Sequence, residues 1–131
     1  MMKIAILVRA ETADKCTGKG CLKAFFAKAD GFEIYKDISN VELCGFFHSG
    51  GNLDDKLNKM KDSGVQVIHV STCMRGKYEG YAELVEKLSA DFDVIGYSHG
   101  SAHGKTRDTV SSTVKYLCCE NQKKDDFDEV L

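Results

Sequence analysis

Residues 41–52 read VELCGFFHSGGN, and this stretch decides the fold. Val41, Leu43, Cys44, Phe46 and Phe47 form a near-continuous apolar run. Such a run suits a strand covered on both faces, as in a parallel sheet flanked by helices. Gly50 and Gly51 then allow a sharp turn and a close backbone approach. Asn52 is placed to cap a helix that starts at Leu53. Strand, glycine turn and helix N-terminus in that order make the usual ligand position of an open α/β sheet.

The same alternation extends outward in both directions. Upstream, Lys3 to Val8 is a short apolar, β-rich run and the expected first strand. The polar stretch RAETADKCTGKG follows as a loop, and Leu22, Phe25, Phe26 and Ala29 recur at helical spacing from about Gly20 to Ala29. Asp30-Gly31 ends that helix, and FEIYKDIS (32–39) is either a short helix or an irregular connection. Downstream, Leu53, Leu57 and Met60 share a helix face, with Gly64 as the C-terminal stop. Val65 to Thr72 is the third strand, CMRGKYEG (73–80) a loop, and Tyr81, Leu84, Val85 and Leu88 mark a further helix. Asp93 to Tyr97 is the fourth strand. From about Lys105 the β-branched residues favour a strand, while Val110, Val114, Leu117 and Cys118 also fit one helix face; helix is the expectation. Strands separated by helices imply βαβ units with right-handed crossovers. The expected fold is a single three-layer α/β domain over 1–131, flavodoxin- or Rossmann-like, with a mostly parallel sheet of four or five strands.

Composition narrows the function. A chain of 131 residues is one domain and can bury a core without disulfides or metal. A net charge of -2 leaves no basic footprint for nucleic acid. No apolar stretch approaches a membrane span, and MMKIAILVRA enters a strand with no cleavage site, so a cytoplasmic protein is expected. There, six cysteines are ligands, nucleophiles or small core residues rather than disulfides.

In a parallel sheet all loops after strands share one edge. Four successive strand ends bring thiols and imidazoles there: Cys16 and Cys21, His48 and Ser49, Thr72 and Cys73, then Ser98, His99 and His103. Thiolate with imidazole suits zinc, or iron or copper. Cys16, Cys21, Cys73 and His99 are the candidate ligands. Cys44 and His69 lie inside strands and are expected in the core, and Cys118 and Cys119 lie away from the edge. His99 and His103 chelate together only if a helical turn follows the fourth strand. The loop His48, Ser49, Gly50, Gly51 and Asn52 is a candidate anion- or ligand-binding loop. It has no phosphate-loop lysine, and Asp54 and Asp55 would repel phosphate, which argues against a nucleotide. Cys73 near His48 or His99 is also a candidate nucleophilic thiol.

KIAILVR, ETADKCTGKGCLKAF, VELCGFF with its two glycines, VIHVSTCM and YSH, taken in order, resemble the CGGC-domain family of small α/β proteins. The resemblance covers about Lys3 to His99 and leaves 104–131 as a C-terminal extension. It implies metal binding, zinc foremost, with VELCGFF as the family's central strand. The naming motif appears here as Ser49-Gly50-Gly51-Asn52, Ala10 stands where the family commonly has cysteine, and Glu79-Gly80 stands where it has Cys-Pro. Cys16, Cys21, Cys73 and His99 remain in place, with His48 as an extra imidazole. Three readings stay open: a zinc protein with that reduced site, a metal-free thiol enzyme or small-anion binder using Cys73 and the Gly50-Gly51 loop, and a non-catalytic member acting through a partner or by self-association along a sheet edge.

Overall fold

The computed structural model describes residues 2–117 of the chain. Its strands are β1 (Met2–Val8), β2 (Val41–His48), β3 (Val67–Val70) and β4 (Asp93–Ile95). All pair in parallel, in the order β2-β1-β3-β4. β1 and β3 occupy the middle and feed both faces. Met2, Ile4, Ile6 and Val8 join one apolar cluster, while Ala5 and Leu7 join the other. Helices α3 (Leu53–Asp62) and α5 (Tyr81–Leu88) cover the Leu7 side. Helix α2 (Lys19–Ala27) and the 3-10 helix Asp30–Tyr35 cover the Ile6 side. The three-layer, parallel α/β architecture expected from the sequence is therefore the one that forms. Among the described residues no helix is long and apolar enough to cross a membrane.

β2 departs from the expectation drawn from its apolar run. It is an edge strand, not a central one, and none of its residues is buried. Fully burying an aliphatic or aromatic side chain contributes about 1.5–3 kcal/mol, so β1 and β3 anchor the sheet while β2 adds less per residue. A register shift between Ile4 and Ala5 passes over Cys44, which stands between the pairs Ile4–Leu43 and Ala5–Gly45. Cys44 is consequently half-buried beside the core rather than inside it. His69, by contrast, is fully buried, as expected.

The helix ends of α3 follow their local chemistry. The Asn52 side chain accepts the Asp55 N–H at 3.0 Å. At the other end Gly64 has φ of +85°, and the N–H groups of Gly64 and Val65 donate to Lys61 and Met60 carbonyls. This is the two-bond glycine stop that ends many helices.

Three segments form differently from the sequence expectation, or resolve what it left open. The stretch expected as a loop after β3 holds a helix, α4 (Thr72–Lys77). Tertiary contact selects it: Met74 is buried in the core, and buried Arg75 donates to the Ser101 carbonyl and to Thr109 Oγ1, both at 2.8 Å. A single turn, α1 (Ala10–Ala13), lies in the loop after β1. Residues 32–39 begin within the 3-10 helix, which buries Phe32 and Tyr35. The segment expected as a C-terminal helix is not helical over 105–113, where Ser112 forms an antiparallel bridge to Val94; it then turns at 114–116 and is helical at Leu117, where the described residues end. Buried Asp93 accepts the N–H groups of Lys115, Tyr116 and Leu117 at 2.7, 2.8 and 2.5 Å. The Asp93 carboxylate thus supplies partners for N–H groups at a turn and helix start, which have none within a helix. Cys118 and Cys119 lie outside the described residues.

Candidate functional site

In a doubly wound sheet of this order, the connections after β1 and β3 leave in opposite directions, and a crevice opens between their C-terminal ends. A cavity of about 500 Å3 sits there. Val8, at the end of β1, and Ser71, just past β3, form its floor. Cys16, Cys21, Cys73, His99 and His48 all line it. The structure thus brings the four candidate ligands and the extra imidazole to one place, although they come from four separate strand ends.

Each side chain is positioned by its own element. Cys16 lies exposed on the turn after α1, where its N–H donates to Thr12 and its sulfur accepts the Gly18 N–H at 3.3 Å. Cys21 is in the first turn of α2, buried, with Sγ 3.1 Å from Ser98 Oγ. Burial pushes its thiol up from the ordinary range, and nearby Cys73 and Cys16 push the same way, against the lowering bond from Ser98. Cys73 is in the first turn of α4, half-buried, 2.7 Å from Ser71 Oγ.

His99 is fixed through its backbone. Thr72 Oγ1 donates to the His99 carbonyl at 2.6 Å and accepts the N–H groups of His99 and Ser98 at 3.1 and 3.3 Å. Ser98 Oγ accepts the Thr72 N–H at 3.2 Å while touching Cys21. Ser98 and Thr72 therefore knit the α2, α4 and β4 ends together. The His99 ring lies over Gly20, where an added Cβ would stand 3.0–3.2 Å from ring atoms. Any side chain there would make the ring shift.

The remaining candidates fall elsewhere. Of the loop 48–52, His48 alone lines the cavity. Ser49 Oγ accepts the Ala10 N–H at 3.2 Å, and Asn52 caps α3. Residues 99–103 form no helical turn, so His99 and His103 are not set up as a helical chelating pair. Sequence reasoning missed the roles of Ser71, Thr72, Ser98 and Gly20. The hydroxyls lie within two residues of Cys73 or His99 in sequence, which is the one signal that could have flagged them. Phe46, whose ring lies against Gly18, and Phe47 supply apolar wall at the end of β2.

The donor set of three thiols and an imidazole has the chemistry of a tetrahedral zinc site. Its placement is looser than that chemistry requires: among the described residues no three His, Cys, Asp or Glu side chains are gathered as around a metal ion. The site as folded is an open thiol- and imidazole-lined cavity.

The model of the CGGC domain family matches residues 3–99. The chain belongs to the CGGC domain family. The match runs from β1 to His99 and so contains every residue of the cavity described above. No curated protein and no solved structure matches the chain. In this CGGC domain, residues 100–117 lie beyond the family match, and Arg75 and Asp93 bind them to the family core.

Proposed function

We propose that this CGGC domain is a metal-binding protein, with zinc the first choice, and that Cys16, Cys21, Cys73 and His99 are its ligands. One observation carries the proposal: three thiols and one imidazole from separate elements line a single cavity at the C-terminal edge of the sheet. Uptake requires the thiols to turn inward from their present hydroxyl and amide partners. Exposed Cys16, on a short turn, has the freest path. The four described cysteines are all free thiols, which supports a reducing, cytoplasmic setting. The test is elemental analysis by mass spectrometry on protein purified under reductant without added metal. About one equivalent of zinc or iron per chain is expected, lost in Cys73→Ser and in Cys21→Ser. Metal-free protein that also fails a zinc titration would sink the reading.

A second reading, metal-free thiol chemistry at Cys73, is favoured by the Ser71 hydroxyl 2.7 Å from its sulfur and by the apolar cavity it faces. Alkylation of Cys73 much faster than a free model thiol at neutral pH would support it.

A further inference from the structure

The cavity wall is apolar at Val8, Ala13, Phe46 and Phe47, and none of its lining residues carries a carboxylate. Its charged or titratable nitrogen groups are Lys77, His48 and His99. Among the described residues no ion pair engages Lys77. A volume near 500 Å3 is in the range of small-molecule sites.

His48 has its tautomer set by its own loop. The Gly50 N–H donates to Nδ1 at 3.0 Å, and the Lys56 ammonium stands 3.5 Å from the same nitrogen. Lys56 also donates to the His48 and Gly50 carbonyls at 3.0 and 2.8 Å. A nitrogen faced by two donors presents its lone pair, so the neutral ring carries its proton on Nε2. An N–H cannot ligate a metal, but it can donate to a ligand oxygen. His48 therefore belongs to ligand recognition and not to the metal set.

The loop is poorly suited to a phosphate dianion, because Asp54 and Asp55 stand in the first turn of α3 directly after it. The Ser49 N–H goes to Val8 and the Gly50 N–H to His48, and of the loop 48–52 only His48 lines the cavity. One donor and one ammonium match a singly charged head.

We propose that the cavity binds an organic acid, an apolar body bearing one carboxylate, with His48 Nε2–H and the Lys77 ammonium at its carboxylate end. This rests on the cavity being the functional site and does not depend on the metal.

The probe is 2-naphthoate, titrated into the 15N-labelled full chain and followed by NMR, beside the neutral 2-naphthylmethanol. The expected result is movement of the Gly18, Cys21, Thr72 and Cys73 amides, with the acid bound about ten-fold tighter than the alcohol. Lys77→Met and His48→Ala should each weaken the acid towards the alcohol's affinity and leave the alcohol unchanged. His48→Gln, which restores an N–H at that reach, should recover part of the loss. Equal affinity for acid and alcohol, a preference that survives both substitutions, or shifts away from these amides would overturn the proposal. Elemental analysis of the same samples separates the two ideas. Acid binding without metal sinks only the zinc reading, and metal without acid preference sinks only this one.

Discussion

Thr72 and His99 hold one another by two bonds through a single hydroxyl, which takes a third from Ser98. Thr72 Oγ1 donates to the His99 carbonyl and accepts the His99 and Ser98 N–H groups. Thr72→Val keeps the shape and removes the hydroxyl, leaving three backbone groups without this partner. A loss of about 1–3 kcal/mol in urea unfolding is expected, with faster amide exchange at 98–99. Thr72→Ser should restore most of both; unchanged exchange in the valine variant would remove the clamp from the account.

Gly20→Ala should separate the site from the fold. The new methyl meets the His99 ring at 3.0–3.2 Å. Alanine is the better helix residue by about 1 kcal/mol, so stability should change little. Zinc affinity, read by competition with a chromophoric chelator, should fall about ten-fold as the imidazole is displaced. Full affinity with intact folding would exclude His99 as a ligand.

His69 makes the protein acid-sensitive. It is fully buried, hydrogen-bonded to the Tyr35 hydroxyl at 2.7 Å and stacked on Phe32 at 4.2 Å. Burial holds it down at about 3, only partly opposed by the Tyr97 backbone. Between the unfolded value near 6.5 and that value, the unfolded chain takes up a proton that the folded chain refuses. Stability contributed by neutral His69 is thus full above pH 6.5 and is lost as pH falls, by about 1.4 kcal/mol per unit. Chemical denaturation at a series of pH values should show that slope, and His69→Gln should flatten it.

Asp93→Asn should free the C-terminal arm. The carboxylate accepts three backbone N–H groups from 115–117, and charge-assisted bonds are the stronger kind. A loss of about 2–3 kcal/mol is expected, together with trypsin cleavage after Lys115 that the parent resists. Equal protease resistance would mean that Leu117 packing alone holds the arm.

The thiols should react in a fixed order. Cys16 is exposed and Cys73 half-buried, whereas burial raises the Cys21 and Cys44 thiols and so depletes their thiolates. Timed iodoacetamide labelling with peptide mass spectrometry should find Cys16 and Cys73 modified well before Cys21 and Cys44. Early labelling of Cys21 would contradict the buried Ser98 contact.

What was legible in the sequence was local. The apolar runs of β1 and β3, the helix faces of α2, α3 and α5, the Asn52 cap and the Gly64 stop are each fixed by residues a few positions apart. The strand-end rule was enough to place Cys16, Cys21, Cys73, His99 and His48 on one cavity. Segment 73–77 was misread because its helix depends on burial of Met74 and on Arg75 reaching the 101–109 arm.

The sequence by itself determined the alternation of strands and helices, and with it the edge where thiols and imidazoles collect, because hydrophobic period and capping act over a few residues. Only the tertiary structure decided that β2 is an edge, that residues 105–113 after β4 are not helical and bridge to Val94, and that Thr72 and Ser98 tie the site together. Those outcomes turn on hydrogen bonds and burial between residues tens of positions apart, where no local pattern records which partner a chain end will meet.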